Sequence, residues 1–185
     1  LSRNFLENRF RPLLAMPNAR LSLESGSLEE LLGRLQVHNL DVVFSNRPVV
    51  AEAGRPWRCA RIDQQSVCFV GPPRSHRRRF IAQRDVVGAR VALPGPSSDI
   101  RSQFDLWCEQ AGVRVEIVAE VDDMAMLRLI ARDTGVITVL PEVVVQDELK
   151  EGRLQRYGAV PGLHENFYAI TALRRRHPSL VQAMI

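Results

Sequence analysis

Short runs rich in Val, Ile and Leu alternate with segments of helical periodicity along the whole chain. That alternation constrains the fold most, because it favours parallel strands packed beneath helices. Residues 40–45, 90–93, 113–121 and 136–140 are such runs. Between them, Ser27-Leu28-Glu29-Glu30 forms a capping box that opens a helix with Leu28, Leu31, Leu32 and Leu35 on one face. Residues 4–16 place Phe5, Leu6, Phe10, Leu13 and Leu14 near helical spacing until Pro17 stops the helix. The turn Pro94-Gly95-Pro96-Ser97-Ser98-Asp99 delivers an N-cap to a helix that turns Ile100, Phe104, Trp107 and Ala111 inward and ends at Gly112. Asp122 or Asp123 caps a helix over 124–132. Pro141 starts another, with Glu142 in its first turn and Lys150 and Gly152 at its close.

The remaining segments complete two similar halves. Residues 20–24 alternate as a strand, and 57–62 and 66–70 read as two strands joined by the polar Asp63-Gln64-Gln65. Strands over 154–157 and 167–173 flank a loop at Pro161-Gly162, and a last helix follows His177-Pro178. The expected organisation is lobe I over 1–64 plus 163–185 and lobe II over 65–162, with the chain crossing twice between lobes to make a hinge.

A chain of 185 residues, 45% hydrophobic, can bury one large core or two smaller ones. No apolar stretch approaches the roughly 18 residues needed to cross a bilayer, and the first residues lack a signal-peptide layout. The expectation is a soluble protein with no membrane partner. Cys59, Cys68 and Cys108 form no C-x-x-C pair and sit among apolar or aromatic neighbours, which favours reduced core thiols and the cytoplasm.

The formal charge is +4, and all the basic residues except Lys150 are arginine. Arg77-Arg78-Arg79 and Arg174-Arg175-Arg176 are the two runs. Neither is interleaved with base-stacking aromatics or set in a nucleic-acid-binding motif, so both read as solvated loops, with an accessory contact to DNA backbone or a sister domain as the alternative. Catalysis finds no footing. G-x-S-x-G, H-E-x-x-H, G-x-x-x-x-G-K and G-x-G-x-x-G are all missing, and His38, His76, His164 and His177 have no metal-ligand spacing. No enzyme activity, cofactor or metal is expected.

Open α/β sheets bind ligands beyond the carboxyl ends of their strands, so the loops that leave the strands are the candidate site. In lobe I these give Ser2, Arg3, Ser45 and Asn46, together with Ser25-Gly26-Ser27. In lobe II they give Ser97, Ser98, Asp99, Leu140 and Pro141, together with Asp122, Asp123 and Glu142. Free N–H groups at helix N-termini and serine hydroxyls favour a small carboxylate or sulfate, whereas the carboxylates could serve a hard cation. Both effector classes stay open. The helix over 124–132 is apolar on more than one face, which points to self-association.

The order of these pieces resembles the effector-binding domain of LysR-type transcriptional regulators. The resemblance is carried by Leu23-Glu24-Ser25-Gly26-Ser27-Leu28-Glu29-Glu30-Leu31-Leu32, Asn39-Leu40-Asp41-Val42-Val43-Phe44, Gly135-Val136-Ile137-Thr138-Val139-Leu140-Pro141 and Glu148-Leu149-Lys150-Glu151-Gly152-Arg153-Leu154. It implies an α/β fold like that of type II periplasmic binding proteins, two hinged lobes, and a small-molecule or ion effector that controls transcription by a parent protein. DNA would be read by an N-terminal winged helix-turn-helix that these residues do not contain. A free-standing periplasmic solute-binding protein is the alternative of the same fold. Glu165-Asn166-Phe167-Tyr168-Ala169-Ile170-Thr171 and residues 4–14 are most similar to the subgroup that activates sodium/proton antiporter genes, which implies sodium as the inducer. The family also implies a homodimer, tetrameric in the full-length protein, that pairs the 124–132 helix of one subunit with the first helix of another. The corresponding residues are Phe5, Phe10, Leu13, Leu14, Met124, Met126, Leu127 and Ile130. A strand that the family places ahead of the first helix is expected to complete the sheet beside 20–24 and 40–45.

Overall fold

The computed structural model describes residues 1–50, 57–75 and 78–173. Among these the chain groups into two compact units: Leu1, 5–64 and residues from 166 onward form unit 1, and 2–4 with 65–165 form unit 2. The boundaries fall inside two long strands, β2 (Trp57–Gly71) and β6 (Gln155–Ala172). The hydrogen-bonded strand order is β1-β6-β2-β5-β3-β4, where β1 is Val43–Ser45, β3 Arg90–Pro94, β4 Glu116–Val121 and β5 Ile137–Pro141.

Both long strands correct the sequence reading. Asp63-Gln64-Gln65 is polar but contains no Gly or Pro, so nothing forces a turn and β2 runs through it. Pro161-Gly162 bends β6 without ending it, because Gly162 takes up the bend in the left-handed region at φ 76.

Unit 1 holds α1 (Arg3–Leu14) beyond its first turn, α2 (Leu28–Gln36) and β1 paired antiparallel with β6. Ser27 caps α2 as expected, its hydroxyl accepting from the Glu30 N–H at 3.2 Å. The leucine face of α2 packs with Val43, Trp57, Ile170 and Ala172. Phe5 stacks on Phe167 with ring centroids 3.8 Å apart, and the Arg9 guanidinium covers Phe5 while donating to the Ile62 carbonyl at 2.9 Å. Residues 20–24 do not form the expected strand. Alternation makes a strand only where a neighbouring edge offers a ladder, and none pairs with them: Leu23 stays exposed and Glu24 is tied instead to Arg34 on α2. The helix after His177-Pro178 lies outside the described residues.

In unit 2, β3 pairs in parallel with β4 and β5, and β5 pairs antiparallel with β2. One face of this sheet carries Val67, Phe69, Val91, Leu93 and Val139 against α4 (Asp99–Ala111) through Ile100, Phe104 and Trp107. The other carries Cys68, Val70, Ala92 and Leu140 against α5 (Met124–Thr134) through Leu127 and Ala131. Strands buried on both faces read as continuous apolar runs, which is why β3 and β5 were the clearest in the sequence. A short helix α3 (Ala82–Asp85), with no periodic signature, seats Val86 in the core. Pro141 ends β5 and precedes a 3-10 turn, Glu142–Val145, before α6 (Gln146–Lys150), so one continuous helix from Pro141 is corrected to two short pieces.

The cysteines carry no disulfide. Burial raises the Cys68 thiol above its ordinary range and pushes Cys108 up to about 11; burial also raises the Tyr157 phenol. Each group is held neutral in the folded chain. Their contribution is therefore complete below the unfolded-state value, about 9.0 for Cys108, and is lost as pH climbs toward about 11. We expect unit 2 to lose stability progressively over that alkaline window. Urea titrations at stepped pH should show the fall, and Cys108→Ala should shrink it.

Candidate functional site

In unit 2 the carboxyl ends of β5, β3 and β4 line one edge of the sheet, since the three strands are parallel neighbours and Pro94 stands beside Val121. The edge is built by three connections. After β3, the Gly95 N–H donates to Val121 O at 3.2 Å and the Ser98 N–H to Gly95 O at 3.0 Å, closing the turn into α4. The Asp122 carboxylate lies over Gly95, where a Cβ would stand 1.9 Å from Asp122 Oδ1, so a side chain there would displace that carboxylate. After β4, Asp123 rather than Asp122 caps α5, accepting from the Met126 N–H at 2.8 Å. After β5, Glu142 is engaged by Arg156 at 3.0 Å, and the same Arg156 Nε donates to Cys68 Sγ at 3.1 Å.

Of the residues expected from the sequence, Ser97, Ser98 and Asp99 and Leu140 and Pro141 are therefore brought to one edge. Ser2 and Arg3 join them, because residues 2–4 group with unit 2: Arg3 lies 3.7 Å from Asp123 and Asn4 donates to Val144 O at 3.4 Å. Both partners of the Arg3–Asp123 pair are mostly exposed, so the pair is worth little. Ser45 and Asn46 belong to unit 1. Ser45 is buried and its hydroxyl accepts from the Arg47 N–H at 3.0 Å, a turn-stabilising role.

The two helix N-termini at this edge differ. That of α5 is satisfied by the Asp123 carboxylate, whereas Ser98, the N-cap of α4, makes no side-chain cap bond and leaves that end to other partners. Among the described residues no group of three His, Cys, Asp or Glu side chains could hold a metal ion.

Two supporting residues went unrecognised in the sequence. Arg101 on α4 donates to Pro94 O at 3.3 Å, pairs with Asp105 at 2.9 Å and with Glu120, and so ties the ends of β3 and β4 to the helix. Only its i,i+4 spacing to Asp105 was readable beforehand. Gln103 brackets His164 on β6, donating to its carbonyl and accepting from its N–H, a long-range pair with no local signature.

The residues assigned to a dimer face divide. Phe5, Phe10, Leu13 and Leu127 are buried within their own units and offer no surface, because a helix on a sheet spends its first apolar stripe on the core. Leu14 and Met126 are exposed, and Met124 and Ile130 are half-buried. No helix among the described residues is long and apolar enough to cross a membrane.

Residues 9–185 match the family described as LysR substrate binding domain. The chain is 27% identical over 156 residues to the transcriptional activator protein NhaR of Escherichia coli K12, covering 82% of this chain and 50% of NhaR, so it spans about half the length of the curated relatives it matches. Its fold is shared with Vibrio fischeri DarR solved in complex with DNA (TM-score 0.73, 17% identity, 97% of this chain and 63% of that one). It is shared as well with the bromide-bound regulatory domain of HypT from Salmonella typhimurium (TM-score 0.69, 17% identity, 96% and 86%). The regulatory domain of CcmR from Synechocystis PCC6803, in complex with 2-PG, also matches (TM-score 0.69, 12% identity, 97% and 89%). These matches lend no support to a free-standing solute-binding protein. With its parallel-stranded unit, its loop edge and a family match over almost its whole length, the chain belongs to the LysR substrate binding domains, the effector-binding domains of transcriptional regulators.

Proposed function

We propose that unit 2 senses a small anion at the edge formed by Ser97, Ser98 and Asp99, by Leu140 and Pro141, and by residues 2–4, and that binding there controls transcription by the parent protein. The observation that carries this reading is the contrast between the two helix ends: the Asp123 side chain caps α5, while the Ser98 side chain makes no cap bond at α4, whose first turn carries Asp99. Bromide and 2-PG in related regulatory domains support the same ligand class. Sodium, implied by the resemblance to antiporter-gene activators, is the weaker reading, since Asp123 and Glu142 are already engaged.

The parent is read as a cytoplasmic activator that pairs through exposed apolar residues of the Met124–Thr134 and Arg3–Leu14 helices, Met126 and Leu14 foremost. Thermal melts of the chain with bromide, sulfate, shikimate and sodium at constant ionic strength test the ligand class. An anion at about 100 times its dissociation constant should stabilise the fold by about 2.7 kcal/mol. Ser98→Glu, which sets a negative charge at the same helix end, should abolish that gain. A rise with sodium alone, indifferent to Ser98→Glu, would overturn the reading.

A further inference from the structure

The excess positive charge of the chain is concentrated. Residues 74–85 contain five arginines and one aspartate, an excess of four that equals the formal charge of all 185 residues, so the rest of the chain is balanced. Within this segment the one carboxylate is spent: Asp85 accepts from Arg84 at 2.7 and 2.8 Å and from the Ile81 N–H at 2.9 Å, contacts that hold it well below the usual carboxylate range. Arg74 also contributes to the field at Asp85 but makes no ion pair within 4 Å among the described residues, and Arg78 and Arg79 are exposed.

Arg74 is held in place. Its N–H donates to Gln155 Oε1 at 2.7 Å, and its guanidinium lies 5.5 Å from the Phe80 ring and 5.4 Å from the Tyr157 ring, which are themselves 5.2 Å apart. The Tyr157 hydroxyl donates to Pro72 O at 2.6 Å and anchors the loop to β6. A guanidinium held over aromatic rings can keep edge donors for an outside acceptor, in the fork geometry that fits a phosphate.

We propose that Arg74, Arg78 and Arg79 form an accessory docking surface for the phosphate backbone of duplex DNA. Three arginines close in sequence, none in a carboxylate ion pair among the described residues, suit a run of phosphates. An acidic protein surface fits less well, because protein interfaces gain most of their energy from a desolvated apolar centre. The contact is independent of base sequence and adds to whatever DNA-reading segment the parent carries.

Fluorescence anisotropy of the 185-residue chain with a labelled random 30-base-pair duplex tests it. Three phosphate contacts predict a log–log salt slope near −2.7, which corresponds to about 40-fold weaker binding at 200 than at 50 mM salt. The triple variant R74Q/R78Q/R79Q should bind at least about tenfold more weakly with a slope near zero, whereas the equally discharged R20Q/R61Q/R114Q should keep the slope. Should the triple variant fail to fold, R78Q/R79Q, which removes side chains with no partner among the described residues, should still lower the slope by about 1.8. No binding at 50 mM salt, the same loss in the R20Q/R61Q/R114Q control, or binding of polyglutamate without binding of the duplex would overturn the proposal.

Discussion

Phe69→Ala is expected to destabilise unit 2 by about 3–5 kcal/mol. Phe69 is fully buried on β2 and its ring meets Phe80 at 5.4 Å, Phe104 at 6.1 Å and Trp107 at 5.6 Å. Removing it deletes the shared partner of three aromatic side chains, and the surrounding strands β2, β3 and β5 cannot close the gap without breaking their ladders. The two tryptophans fall one in each unit, Trp57 and Trp107, so in a Trp57→Phe background fluorescence reports unit 2 alone. Urea unfolding followed by Trp107 should show the midpoint falling, with a melting temperature lower by roughly 15–20 °C. A loss under about 1 kcal/mol would mean that the cluster repacks and that the α4 face is not the main core of unit 2.

Arg128→Leu is the second large effect. Glu148 on α6 is buried, with its side chain 4% exposed, and Arg128 on α5 approaches it at 3.5 Å with 25% exposure. One Glu148 oxygen and the Arg128 Nε make no hydrogen bond, so the pair is imperfectly satisfied even when intact. Removing the arginine leaves the buried carboxylate without its ion-pair partner and with only the more distant Arg132 charge nearby, at an expected cost of about 3 kcal/mol. Replacing both, Arg128→Leu with Glu148→Leu, removes the charge together with its partner and should restore much of the loss, because a buried pair and a well-packed apolar pair are often of similar stability. A double-mutant cycle in urea measures this; additive losses would show that the two side chains do not interact.

Much of the architecture was legible from local patterning. The Ser27 cap, the stop at Gly112 and the apolar runs of β3 and β5 appear where their chemistry places them, since each rests on residues within one or two turns. The failures share a cause. Residues 20–24 have strand alternation but no ladder, and the polar centre of β2 and the Pro161-Gly162 bend of β6 look like loops but lie inside continuous strands. Whether a segment is a strand is decided by the edge it meets, which lies far away in sequence. The site divides in the same manner. Ser97, Ser98 and Asp99 could be found as a strand-to-helix turn, whereas the Asp122 carboxylate over Gly95, the Arg101 tie to Pro94 and the Gln103 clamp on His164 depend on contacts between distant residues.

The class of the fold, the Ser27 cap and the concentration of charge in 74–85 follow from composition, periodicity and short-range spacing, and the resemblance of its motifs pointed to the family. Tertiary structure alone decided which apolar residues of α1 and α5 are core and which remain exposed, which of two adjacent aspartates caps α5, and that the Arg74 guanidinium rests on two rings. A helix pattern shows how many apolar faces exist, but only packing against a particular sheet consumes one and leaves the other exposed.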